Sequence, residues 1–301
     1  MIFIKGDPVL KFFSASFLMG MLEGKNIDTF KNTIYNSNLA SFNKLDNATI
    51  MDVLNQYYIQ LLTYYKNEYV YKNILINNIT NEMNLNRFSL ISEMDIGIDS
   101  RVDIALFGDT SEAYEIKTDL DTLNRLDKQL HDYSKGFEKI WILTSEKQVE
   151  NISKRTGDKF GIKYINQNNK IELFREAKGG IDSITHAGLF SLLKQKEYMQ
   201  LLKRHYGRIP NHNTNQGKEA MINMFKNIDI KTVNQYTIEI ISHRVNLNKL
   251  LYLLSELPNS LLSICLSNQV QKESTKFLNL INLKIADLDN HITMMEHRKL
   301  F

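Results

Sequence analysis

From the start of the chain to about residue 86, apolar residues recur at three- and four-residue spacing, the period of amphipathic helices. Asn and Asp provide candidate helix caps near Asp28 and Asp46. Tyr57, Tyr58, Leu61, Leu62 and Tyr65 continue the stripe toward Glu68, and an aromatic stripe of this kind is read as core. The period changes at Arg87. Phe88-Ser-Leu-Ile-Ser-Glu, Arg101-Val-Asp-Ile-Ala-Leu-Phe and Ala113-Tyr-Glu-Ile-Lys-Thr are short apolar and β-branched runs, separated by the turn signals Gly97-Ile-Asp-Ser and Gly108-Asp-Thr-Ser. They predict a three-strand meander. The stretch 121–136 then places Leu123, Leu126, Leu130 and Tyr133 on one helical face, with Gly136 as its stop. Lys139-Ile-Trp-Ile-Leu-Thr predicts a fully buried strand, 145–156 a polar helix and 161–165 a further short strand. From about Asp182 the helical period returns, interrupted by an Asn- and Pro-containing loop at 207–217.

This pattern predicts an α/β core at 60–178, an N-terminal helical segment at 1–59 and a C-terminal helical domain at 179–301. The balance of 43% hydrophobic and 24% charged residues excludes a fibrous or disordered chain. The apolar run from Phe12 to Leu22 is bounded by Asp7, Pro8, Glu23 and Lys25, so it reads as a buried helix rather than a signal peptide. No segment reaches bilayer-spanning length, and the single cysteine, Cys265, lies in an apolar run where a buried thiol is expected. A soluble cytoplasmic protein without a membrane partner follows as the expectation. The net charge of +3 is small, but residues 178–301 hold 16 Lys and Arg against 10 Asp and Glu. That asymmetry suits a basic helical arm beside an acidic, cation-holding site, and solvated helix faces would produce it equally.

Candidate chemistry gathers in the meander. Glu115 and Lys117 are two apart on a strand and share a face, while Asp103 on the preceding strand can converge with them across the Gly108 turn. Two carboxylates can hold a hard cation such as Mg²⁺, which prefers oxygen ligands. A cation so placed would polarise a phosphodiester, and Lys117 would serve the attacking water. Gln129 and Tyr133, one helical turn apart, point to one side. Asp121 can cap the helix that follows the meander, and Arg125 can reach phosphate. Glu93, just before the Gly97 turn, is a further carboxylate able to approach. There is no phosphate-cradling glycine loop, nucleophile elbow or dinucleotide fingerprint.

Gly97-Ile-Asp-Ser-Arg101-Val-Asp103, Glu115-Ile-Lys117 and Gln129-Leu-His-Asp-Tyr133 together resemble the G-x-x-x-R-x-D, E-x-K and Q-x-x-x-Y motifs of RecB-type nucleases in the PD-(D/E)XK superfamily. Val102 replaces the proline of the superfamily name. The run from Tyr114 to Gln129 is similar to a little-characterised bacterial family within it. The resemblance implies a restriction-endonuclease-like core and a metal-dependent nuclease acting on DNA, with a role in phage defence or DNA processing. It implies Mg²⁺, with Mn²⁺ able to substitute, held by Asp103, Glu115 and a glutamate on the helix before the sheet, Glu68 or its competitor Glu82. Asp103, Glu115 and Lys117 would be catalytic, and Gln129, Tyr133, Arg125 and Arg101 would bind substrate. The alternative is a non-catalytic nucleic-acid-binding or helical interaction protein on the same fold. In either case the C-terminal helices could join a protein partner or a second copy.

Overall fold

A computed structural model describes residues 6–37, 47–82, 88–97, 100–211 and 213–289. Asp46, Arg87 and the turn residues Ile98 and Asp99 lie outside the described residues. The helices before the sheet are α1 (Ala15–Leu22), α2 (Ile27–Asn36), α3 (Ile50–Tyr64) and α4 (Glu68–Glu82). The sheet region runs β1 (Ser89–Ile96), β2 (Ser100–Phe107), β3 (Ser111–Lys117), α5 (Leu126–Ser134), β4 (Lys139–Ser145), α6 (Val149–Arg155), β5 (Gly161–Ile165) and β6 (Ile171–Arg175). The remaining helices are α7 (His186–Leu192), α8 (Gln195–Tyr206), α9 (Asn215–Lys226), α10 (Ile230–Ser242), α11 (Leu247–Glu256), α12 (Leu262–Cys265), α13 (Asn268–Lys272) and α14 (Ser274–Ile281).

The chain forms two compact units, one of residues 1–77 with 248–301 and one of residues 78–247. This division differs from the expected three segments. Helices α7–α10 bury Leu189, Leu192, Met221, Phe225 and Ile241 in one core with Phe137, Ile140 and Ile142 of the sheet region. The chain after α10 instead joins the N-terminal helices: the Ile50 N–H bonds to the Leu283 carbonyl at 3.0 Å, and the Ile285 N–H to the Ala48 carbonyl at 2.9 Å.

In the first unit the Phe12–Leu22 run is buried as expected, as a 3-10 turn over Pro8–Phe13 followed by α1. The Asp7 carboxylate accepts the Val9 N–H and so caps the turn. Thr49 and Asp52 form a capping box at the start of α3. Cys265 is fully buried, and burial pushes its thiol up to about 12.

The second unit is a mixed α/β body on a six-stranded sheet in the order β1-β2-β3-β4-β5-β6. Strands β1, β2 and β3 form the antiparallel meander; β3, β4 and β5 are parallel, joined through α5 and α6; β6 returns antiparallel to β5. Strand β6 has no counterpart in the sequence expectation. It is an edge strand whose Leu173 and Phe174 are about half exposed, so it lacks the alternation that marks a half-buried strand. Helix α7 docks against the end of α5 through Gly188, where a Cβ would fall 2.0 Å from the Lys135 carbonyl oxygen. On the sheet, Glu112 accepts the Trp141 indole N–H at 2.7 Å, and the Lys163 ammonium sits 4.4 Å from the indole ring. Among the described residues no helix is long and apolar enough to cross a membrane.

Candidate functional site

The meander sets three carboxylates at one level. Strands β1 and β2 pair Ser92 with Ile104 and Met94 with Val102, so Glu93 and Asp103 stand abreast. Extending the β2–β3 register one step past Ile104 and Tyr114 brings Glu115 to the same level. Like charges abreast on neighbouring strands repel, and each carboxylate here has a particular partner. Glu93 leaves the ladder with a φ of 55°, a conformation rare outside glycine, and lies 3.7 Å from the Arg101 guanidinium. Asp103 accepts the Ile116 N–H at 2.7 Å, so its side chain takes a main-chain donor of β3. Glu115, 1% exposed, receives the Lys117 ammonium at 2.6 Å on one oxygen and the Tyr133 hydroxyl at 2.5 Å on the other.

Tyr133 arrives from α5, which packs on β2 and β4. Its hydroxyl also lies 2.6 Å from the Arg101 carbonyl, but it has one proton and the carboxylate is the stronger acceptor. Burial, then the negative charge of Glu115 and its hydrogen bond, push the phenol far above its ordinary value. Gln129, one turn earlier on α5, acts weakly in the opposite direction, and its amide oxygen is buried with no partner among the described residues. The structure thus brings Asp103, Glu115, Lys117, Gln129 and Tyr133 together.

Glu68, Arg101 and Arg125 are the other expected site residues. Glu68 belongs to the first unit, in the first turn of α4, where it pairs with Lys72 at 2.6 Å. Asp103 and Glu115 lie in the sheet unit. The carboxylate that approaches Asp103 within the unit is Glu93, their oxygens lying within 4.8 Å. Arg101 is exposed and bonded to Asp95, its cross-strand neighbour, at 2.7 Å. Arg125 is exposed at the start of α5. Asp121 does not cap that helix, because it accepts the N–H and hydroxyl of Thr118 at 2.9 and 2.8 Å; α5 consequently begins at Leu126 rather than near Asp121. One tie was not anticipated: Ser100 donates to Asp132 at 2.6 Å, and this bond, with Lys135, holds the Asp132 carboxyl below its usual range. Asp132 lies inside the Gln129–Tyr133 stretch on the same helix, which was the available signal.

These features define a mixed α/β protein whose sheet carries a buried Lys–Glu–Tyr network beside a pair of carboxylates. Residues 61–263 match the family of Bacteriophage P4 protein cII, more than half of the chain, and the protein belongs to that family. Protein cII of Enterobacteria phage P4 is 32% identical over 114 residues, which are 38% of this chain and 40% of that protein. The alignment thus spans well under half of the curated relative. Among solved structures, a protein of unknown function from Silicibacter pomeroyi aligns with a TM-score of 0.30 and 11% identity over 45% of this chain and 89% of that one, and this likeness carries no argument.

Membership of the P4 cII family overturns the nuclease expectation and, with it, the hydrolase, endonuclease and phage-defence assignments. The physical reason for the misreading is that E-x-K asks only for two charges on one face of a strand. Here the pair is a buried ion pair closed by a tyrosine hydroxyl, and a structural salt bridge has the same spacing.

Proposed function

We propose that the protein is a phage-type regulator that acts by binding nucleic acid, in the first instance DNA, without hydrolysing it. The observation that carries this reading is membership of the P4 cII family over a span containing the whole of residues 78–247. Two features of that unit support it. Residues 186–242, which hold α7–α10, carry eight Lys and Arg against four Asp and Glu, an excess suited to phosphate contact. Lys117 already neutralises the buried Glu115, so its role in the proposal is to fix the sheet rather than to activate water. The same reading takes the sheet unit as a nuclease-superfamily-like core put to binding, and places the protein in the cytoplasm. Mg²⁺, with Mn²⁺ in its place, is the cation that the oxygen donors of Asp103 and Glu93 suit; Glu115 fits less well because both its oxygens serve Lys117 and Tyr133.

Fluorescence anisotropy of labelled duplex DNA, single-stranded DNA and RNA tests this, with Mg²⁺ or EDTA and the strands sized on a gel afterwards. Binding is expected to weaken steeply between about 50 and 200 mM salt, and the strands are expected to stay intact. The variant K196E/K203E should weaken binding to every sequence alike. Arg204 should matter less, because it is paired with Glu239 and lies 4.1 Å from the Tyr236 ring. Absence of binding at low salt would remove nucleic acid as the partner. Strand shortening in Mg²⁺ that disappears in Asp103→Asn would remove the non-hydrolytic reading.

A further inference from the structure

At the amino ends of the parallel strands β4 and β5, the second unit holds a cavity of about 190 Å³ that the sheet's charged network does not use. Its apolar lining comes from the partly exposed Phe160 and from Phe137 and Ile140, which are themselves buried in the core. Its lining also includes Lys159, Lys178 and Asp182, and the segments of the two lysines are joined by the Lys178 N–H bond to the Lys159 carbonyl at 3.0 Å. The Lys159 ammonium lies 5.0 Å from the Phe160 ring centre and 3.5 Å from the Ser183 hydroxyl. The Lys178 ammonium lies 3.9 Å from Asp158, a distant surface contact that contributes little. Between Lys178 and α7 the chain turns through Gly179 and Gly180, the latter at a φ of 150°, open to glycine and strained for other residues. The Glu138 carboxyl, also in the lining, is half-buried, held by Asn234, and raised by burial.

Lys159 and Lys178 outnumber Asp182 and select an anion, the exposed part of the Phe160 ring selects a flat ring, and the Glu138 carboxyl accepts ring or amino N–H groups. The geometry points to a mononucleotide site: phosphate at Lys159 and Lys178, base against Phe160, and Glu138 at the base edge. The cavity is smaller than the roughly 300–1,000 Å³ typical of enclosed ligand pockets, so the sugar stays in water. A free mononucleotide and the 5′-phosphorylated end of a strand share this chemistry.

Isothermal titration of the full chain with AMP, GMP, CMP and UMP, with adenosine, with inorganic phosphate and with a 5′-phosphorylated oligonucleotide tests the assignment. The variant K159E/K178E changes two exposed side chains, and an unchanged melting temperature verifies its fold. At least one mononucleotide is expected to bind, with its nucleoside and inorganic phosphate each about ten-fold or more weaker. K159E/K178E should abolish that binding, whereas K196E/K203E should leave it unchanged. An oligonucleotide end that binds more tightly than every mononucleotide and is lost in K159E/K178E would support the site and identify its source as a strand terminus. No binding by any nucleotide, binding indifferent to K159E/K178E, or inorganic phosphate binding as tightly as the nucleotides would each overturn it.

Discussion

Tyr133 is fully buried, and what its ring contributes by packing a phenylalanine would contribute as well. The hydroxyl is what differs. Removing it in Tyr133→Phe leaves one oxygen of the buried Glu115 without its donor, and an unsatisfied buried acceptor costs about 1–3 kcal/mol. Urea unfolding should show that loss as a lower midpoint at unchanged slope; an unchanged midpoint would mean that the hydroxyl is not needed. Glu115→Gln goes further, because it leaves the Lys117 ammonium buried without its counter-charge, and breaking a buried pair from one side costs about 3–5 kcal/mol. The two substitutions share a partner, so the double variant should lose less than their sum. At this scale the positions were legible in the sequence: two residues apart on a strand and four apart on a helix place Glu115 with Lys117, and Gln129 with Tyr133, on common faces. Their roles were not. Asp103 is satisfied by a main-chain N–H of Ile116 and Tyr133 reaches a main-chain carbonyl of Arg101, and backbone partners leave no trace in residue identity.

Elements announced themselves where burial imposes a period. The meander, β4 and β5 follow from alternation or from unbroken apolar runs between turn residues, whereas β6 escaped because an edge strand with Leu173 and Phe174 in solvent has no such pattern. The start of α5 was misplaced because Asp121 serves the Thr118 turn, a choice between two local bonds that spacing does not decide. Contacts between elements give two predictions. In Gly188→Ala the new methyl must push the Lys135 carbonyl away, separating α7 from α5, and overpacking of this kind costs about 1–3 kcal/mol or more; calorimetry should record the drop. Glu197, in the first turn of α8, receives the Arg244 guanidinium at 2.7 and 2.5 Å. Burial alone would raise its carboxyl, but the Arg244 bonds and the Lys194 N–H outweigh burial and lower it. A depressed carboxylate contributes stability that is present above its unfolded value of 4.5 and is lost as pH falls through the folded one. Glu197→Gln should therefore lower stability at neutral pH and narrow its gap to the parent in acid, which melting curves across that range would reveal.

Over the whole chain, the division into two units was hidden because it depends on which helices meet, not on which residues form them. Helices α11–α14 have the same amphipathic period as α7–α10, yet they close on the N-terminal helices through main-chain bonds more than 230 residues apart in sequence, such as Ile50 to Leu283. The protein contains one tryptophan and one cysteine. Trp141 belongs to the sheet unit and Cys265 to the other. The thiol, with its value raised from 9.0 to about 12, stabilises its unit fully below pH 9 and progressively less as pH rises toward 12. In native protein it should react slowly with a thiol reagent, and the rate should rise in alkali as that unit opens; rapid labelling at neutral pH would contradict the burial. Indole emission and thiol labelling consequently form two independent optical and chemical channels, one for each half of the molecule, so a denaturant titration of the unmodified protein can tell whether both halves come apart in a single event.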